Sequence, residues 1–240
     1  MEQTNDKFII ALVLNDYDEV KKVFDSGAIE GYKNKTLDDF GFDYSDVPLP
    51  LCSITQAWLI CLNNESFIEP LKTPAKRNFE NAKKIMALFE ERLGERPQEI
   101  PFSKIFPCCW ADEDESESDI LEGEKADFVA RGEKEIDMDL LVSGQRMDFE
   151  KVKELLEKGA NPLYEHPGQD SLLDLCGGQC SYQATCEAGF IIKNPGFFKV
   201  SIEIEEIVKI FRWAANEKMY NLLVQYAPTN GGETCSNSNL

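Results

Sequence analysis

The sequence has a single histidine, His166, and no long hydrophobic run. One imidazole excludes the catalytic or metal sites that need two. The N-terminal apolar run, Phe8 to Leu14, is too short to cross a bilayer, which takes about 20 residues. No basic region precedes it, so it does not resemble a secretory signal. These absences predict a cytoplasmic protein that does not enter a membrane.

Positive charge is also scarce. The chain has 25 lysines and arginines against 44 aspartates and glutamates, a formal net charge of −19. Such a field repels DNA, RNA and anionic lipid, because all three present phosphates. It steers a basic protein toward the chain. We therefore expect a basic protein partner, no nucleic acid and no membrane.

Cysteine is present but thinly spread. Eight cysteines occur in 240 residues, 42% of which are hydrophobic, so a core can form without disulfides and reduced thiols are expected. Cys176, Cys180 and Cys186 are spaced C-x3-C-x5-C. Zinc sites use closer pairs with a second pair behind them, so we expect no metal and no cofactor. The alternative left open is a metal-binding protein or enzyme that uses this cysteine insertion.

Two segments repeat at an offset of 132 residues, 15–29 and 146–161. In both, apolar residues recur at relative positions 0, 3, 6 and 7, which places one stripe on an α-helix. Gly27-Ala28 and Gly159-Ala160 follow the stripes, and glycine suits the left-handed position that ends a helix. Shorter apolar runs lie just upstream. Each copy therefore predicts a short helix, a tight turn and a longer helix.

This unit resembles the ankyrin repeat, about 33 residues with a β-turn, two helices and a T-P-L-H-x-A signature. Residues 171–176 lie where that signature falls: Leu173 and Leu175 match its leucines, and Cys176 replaces its alanine. The signature threonine, proline and histidine are missing, so their hydrogen bonds at the helix start are not expected. By this resemblance 161–170 is the finger hairpin, with His166 on its exposed surface.

The resemblance implies an all-α, ankyrin-like solenoid of helical hairpins with long loop insertions. Two more outer helices carry the same stripe, each with an inner helix and an insertion upstream, and a last helix ends the array. The predicted inner helices are 51–62 and 171–176, the insertions 63–77 and 177–199, the outer helices 78–94 and 204–214, and the last helix 219–227. The predicted halves are 1–99 and 136–240, separated by a linker, 100–135.

An acidic run, DEDESESD at 112–119, is the first candidate binding segment. Its six carboxylates cannot pack into a core, so we expect a solvated loop. It is either a solvated connector or a segment whose negative charge attracts a basic partner and raises its association rate. The candidate partner-binding residues are Asp112, Glu113, Asp114, Glu115, Glu117 and Asp119.

The insertion holds the second candidate. Phe197 and Phe198 lie beside Asn194-Pro195-Gly196, which predicts the turn of a short β-hairpin. Such a ribbon either covers the core of the solenoid or protrudes as a hydrophobic contact.

No motif in the sequence supports catalysis. The glycine-rich segments 177–180 and 230–233 lack the lysine-serine pair of a phosphate loop. We therefore expect a protein–protein interaction module rather than an enzyme. Small acidic ankyrin-like proteins of bacteria serve as immunity or antitoxin partners of secreted toxins, and the resemblance implies that role.

Overall fold

The computed structural model is mostly helical, which confirms the all-α expectation. It describes residues 3–43, 46–63, 72–96, 98–105, 117–168, 170–177, 191, 195–198 and 200–228. The helices are α1 (Lys7–Val13), α2 (Tyr17–Asp25), α3 (Cys52–Leu62), α4 (Lys72–Leu93), α5 (Phe102–Ile105), α6 (Glu117–Ala130), α7 (Glu135–Gln145), α8 (Phe149–Glu157), α9 (Leu172–Gly177) and α10 (Ile204–Val224). The strands are β1 (Gln3–Thr4) and β2 (Ile202–Glu203).

The predicted hairpins, α1–α2 and α7–α8, are both present. Asp16 caps α2 by accepting a hydrogen bond from the backbone N–H of Glu19, at 3.2 Å. Asp148 caps α8 in the same way, from Lys151 at 3.1 Å. Such a cap stabilises a helix by about 1 kcal/mol. The carboxylates thus define the second helix of each hairpin.

The turns of the two hairpins also match at the predicted offset. Asn15 and Met147, just before the caps, are the described non-glycine residues with positive φ, at 52° and 53°. Gly27 and Gly159 end the outer helices with φ of 77° and 91°, a conformation that glycine adopts without strain. Ala28 is exposed, whereas Ala160 is buried. The backbone conformation is therefore closely similar in the two copies, whereas the burial of the alanine after the glycine differs.

The hairpins do not pack in chain order. In the first half, α1 and α2 contact α3 and α4; in the second, α7 and α8 contact α9 and α10. The halves meet mainly where α3 packs against α10, with Trp58 and Trp213 in an edge-to-face contact at 6.2 Å between ring centroids. Phe42 and Phe211 extend this seam at 5.4 Å. The second hairpin of one half thus packs on the second hairpin of the other.

Helix α10 is longer than expected. Residues 204–214 and 219–227 were predicted as separate helices, but one helix runs from Ile204 to Val224. Ala214 and Ala215 favour a helix, no glycine or proline follows them, and Trp213 to Met219 remain buried but for half-buried Lys218. Continuous burial against α3 and α9 removes any reason for a break.

The predicted β-hairpin at residues 189–200 is wrong where the structure describes it. Residues Pro195–Phe198 form a 3-10 helix. Strand β2 follows and pairs antiparallel with β1, with Thr4 opposite Ile202. Strand β2 therefore pairs with the N-terminal strand of the first half and not with a neighbouring strand of the insertion.

The linker contains a helix that composition did not suggest. Helix α6 begins at Glu117, so the predicted loop is wrong for residues 117–119. Leu121 and Phe128, one heptad apart, are buried, and α6 packs along α7. The short helix α5 buries Phe102 and Ile105. Apolar residues at helical spacing explain why this charged segment folds.

Candidate protein-binding surface

The inner helices are closed to a partner. An ankyrin-like binding face would leave part of α1 and α7 open, yet Phe8 to Val13 of α1 are all buried. In α7, Leu140, Leu141 and Val142 are buried as well. Leu173 and Leu175 of α9, the matched signature leucines, are half-buried and pack on the core. The buried apolar side chains of α1 and α7 are therefore not available to a partner.

Most of the acidic run cannot be placed. Asp112, Glu113, Asp114 and Glu115 lie outside the described residues. Glu117 and Asp119 lie in the first turn of α6.

The exposed side of α6 continues the negative charge. Seven carboxylates and three cationic residues occur between Leu121 and Asp139. Lys125 forms ion pairs with Asp139 and, at 3.1 Å, with Glu135. Arg146 of the α7–α8 turn pairs with Glu122 at 2.6 Å. On α6 itself the exposed carboxylates of Glu122, Glu124 and Asp127 outnumber the half-buried Lys125, so the helix presents a net acidic face.

His166 is not the exposed loop residue that the sequence predicts. Its side chain is only 5% exposed, and its ring meets that of Phe128 edge to face at 4.1 Å. Burial lowers the pKa of the imidazole, against an opposing effect from Glu124, whose Oε2 is 4.0 Å from Nε2. Its Nδ1 is buried without a hydrogen-bond partner among the described atoms. The finger loop is thus held against α6.

Around His166 lies a surface that we call the α6–finger patch: Glu124, Arg131, Glu133 and Leu163. The guanidinium of Arg131 lies 4.0 Å from the centroid of the Phe128 ring, a cation–π contact. Burial raises the pKa of Tyr164, and the negative charge of the nearby Glu133 raises it further. Leu163, beside Tyr164, is 36% exposed. Two carboxylates and a guanidinium therefore act on His166, and the finger beside it exposes a leucine.

The structure describes the side chain of one of the two candidate phenylalanines of the insertion. Phe198 is buried in the core, so its ring covers the fold rather than protruding. The side chain of Phe197 lies outside the described residues. The neighbouring Val200 is 80% exposed. Of the two interpretations of the insertion, core coverage holds for Phe198.

The cysteines provide no reactive centre in the described part of the chain. Cys52, Cys61 and Cys176 are buried. Burial raises the pKa of Cys52 to about 12, helped by Glu95, and burial with Glu217 raises that of Cys61. A thiol of this kind is a poor nucleophile. The remaining members of the predicted insertion cluster, Cys180 and Cys186, lie outside the described residues.

The described residues also offer neither a metal-binding cluster nor a membrane-spanning helix. No group of three or more histidine, cysteine or acidic side chains there could hold a metal ion. No described helix has the length and apolar character needed to cross a membrane.

Sequence reasoning missed α6 as a surface. Its acidic composition favoured a loop, and the spacing of Leu121, Lys125 and Phe128 is a weak signal. Gly132, with φ of 104° just beyond the helix, is the stop signal that accompanies it. The burial of His166 has no local signal, because it depends on contact between segments about forty residues apart.

No protein-family model, curated protein or solved structure matches the chain.

Proposed function

We propose that this chain is a non-catalytic protein-binding module that recognises a basic protein through an acidic surface. The surface begins in the run 112–119 and continues along α6. The observation that carries the proposal is the exposed acidic face of α6, where Glu122, Glu124 and Asp127 outnumber the half-buried Lys125. A protein surface that keeps this much uncompensated negative charge attracts cationic partners over distances of about 10 Å at ordinary salt.

The closed inner helices support the same proposal in a narrower form. Because α1 is buried from Phe8 to Val13, the binding surface differs from the open inner face of an ankyrin-like array. The selectivity for a partner then depends on the charge of the outer surface and not on the shape of a groove. A charged surface of this kind favours fast association over a large buried contact.

The biological role that fits this chemistry is that of an immunity or antitoxin protein. Its resemblance to small acidic ankyrin-like bacterial proteins supports this role, as does the net charge of −19. A toxin that acts on nucleic acid needs a basic surface, which such a partner would cover.

Affinity capture from native lysate tests the proposal. The immobilised full chain is expected to retain a basic protein, identified by mass spectrometry, that elutes as salt increases. Retention that salt does not change, or capture of acidic proteins only, would contradict it.

A pair of charge-matched variants localises the effect once the captured protein is purified. One variant replaces the six carboxylates of 112–119 by amides. The control replaces six exposed carboxylates elsewhere: Asp18, Glu90, Glu91, Glu150, Glu157 and Glu205. Stopped-flow association is expected to slow by about tenfold in the first variant and clearly less in the control, because steering depends on where charge is placed. Equal slowing would show that net charge alone matters.

A further inference from the structure

The finger of the second half, residues 161–168, is fixed to the fold on both sides of its tip. At its start, the backbone N–H of Asn161 donates a hydrogen bond to Oδ1 of Asp137 in α7, at 2.7 Å. Beyond its end, Ser171 is fully buried just before α9. The tip, residues 165–168, lies between these two anchors, so it can move while both anchors stay in place.

His166 joins this tip to α6. Its ring meets that of Phe128 edge to face at 4.1 Å between centroids, and Oε2 of Glu124 is 4.0 Å from Nε2. The side chain is more than nine-tenths buried, and Nδ1 has no hydrogen-bond partner among the described atoms. Protonation would bury a further N–H group without an acceptor, which costs free energy. The docked tip therefore favours the neutral imidazole.

Charged groups of the α6–finger patch act on the same ring. Burial lowers the pKa of His166, and Arg131 of the α6–α7 turn lowers it further. Glu124 of α6 and Glu133 of the turn oppose this shift, because their negative charges favour the imidazolium. Glu165, the neighbour of His166 in the finger, is exposed. Since burial has the largest effect, protonation costs more in the docked tip than in a released tip that water can solvate.

We propose that His166 is a pH-sensitive latch that holds the tip of the finger on α6 and releases it on protonation. The docked state has its full stability above about pH 6.5, where the imidazole is neutral in both states. As pH falls below this value, the released tip gains a proton first and its population rises. Release moves the tip away from the ring of Phe128 while Asn161 and Ser171 stay anchored. The latch lies within the fold and does not depend on the identity of a partner.

NMR of the full chain tests the latch directly, because the sole histidine gives a single set of imidazole resonances. A chemical-shift titration measures the pKa of His166, which is expected below its usual value of 6.5. Relaxation dispersion at Cε1 of the ring measures the population of the released tip. This population is expected to rise by about threefold between about pH 7 and about pH 5.5. The first finger is an internal control, because the exposed Asn34 takes the equivalent position there.

Two charge variants should change this response in opposite directions. E124Q removes a carboxylate that favours the imidazolium, so the pKa of His166 should fall further and the population of the released tip should rise more steeply. R131Q removes a cation that disfavours the imidazolium, so the pKa should increase and the rise should become smaller. The matched control D127N, on the same helix as Glu124, should leave both quantities unchanged.

Dispersion that grows at low pH in the second finger alone, and that is absent from the finger amides of H166Q, supports the latch. A population that does not change with pH, an equal response in both fingers, or the same change in E124Q and R131Q would overturn it. Absence of dispersion at both pH values would overturn it as well. Far-UV circular dichroism distinguishes release of the tip from general unfolding, and a loss of helical signal over the same pH range would also count against the latch.

Discussion

The hairpins α1–α2 and α7–α8 share a backbone but differ in what packs on them. Each has a left-handed residue before an aspartate cap and a left-handed glycine after the outer helix. The first hairpin packs on α3 and α4, whereas the second packs on α6, α9 and α10. Local hydrogen bonds and special φ angles thus preserve a hairpin, while its neighbours are free to diverge.

The finger loops show the same contrast. Tyr32 donates hydrogen bonds to Asp6 at 3.0 and 3.1 Å, and Tyr164, at the repeat offset, donates to Sδ of Met138 at 3.1 Å. The equivalent of His166 is Asn34, which is exposed. No described helix covers the first finger as α6 covers the second. The added helix is therefore what distinguishes the two halves, and it carries the proposed surface.

The largest expected effect comes from emptying matched core positions. Phe24 meets Phe89 edge to face at 5.4 Å, and its repeat equivalent is Leu156. Phe24→Ala is expected to lower the free energy of unfolding by about 4 kcal/mol and Leu156→Ala by about 3 kcal/mol. Urea denaturation measures both, with exposed Lys22→Ala and Lys153→Ala as controls. A loss below that of the lysine controls at either site would contradict the shared core role.

A smaller effect follows from a difference between the copies. Leu12 fills its own space in α1, whereas the equivalent Gly144 leaves room for Leu172 of α9. A Cβ at Gly144 would lie 2.8 Å from Cγ of Leu172 and closer still to its Cδ atoms. Gly144→Ala is expected to cost about 2 kcal/mol, through overpacking.

The double variant Gly144→Ala/Leu172→Ala tests that mechanism. It should be less destabilised than the sum of its two single variants, because the added methyl then occupies space that Leu172 has left. Denaturation of all four proteins measures the coupling. Strict additivity would show that Gly144 is needed for another reason.

The matched caps should give nearly equal effects. Asp16→Ala and Asp148→Ala each remove one side-chain acceptor from a helix start, and each is expected to cost about 1 kcal/mol. Asp→Asn at the same sites should cost less, because an amide oxygen also caps. Denaturation measures the free energy of unfolding of each variant. If only one of the two Asp→Ala substitutions lowered it, the two hairpins would not be locally equivalent.

The success of sequence reasoning followed this division between local and distant interactions. Helices α2 and α8 lie within the predicted repeat segments, 15–29 and 146–161, because their apolar stripe, aspartate and glycine lie within a dozen positions. The packing of α3 on α10 and the pairing of β1 with β2 join residues more than a hundred positions apart, and no pattern in either segment reports them. His166 was wrongly predicted as exposed because what buries it is α6, a helix whose acidic composition concealed its stripe.

The smallest expected effect is a pH dependence that only the second finger has. Burial lowers the pKa of His166 in the folded chain, while the unfolded chain keeps a value near 6.5. Below that pH the unfolded chain binds more protons than the folded one, so stability falls as pH decreases and the loss stops below the folded pKa. We expect a loss below about 1 kcal/mol between about pH 6.5 and pH 5, above the range where most carboxylates titrate. Denaturation of the native chain and of His166→Gln across this window measures it. Because the variant has no imidazole, its stability should lack this slope, and an equal slope in both proteins would assign the effect to carboxylates instead.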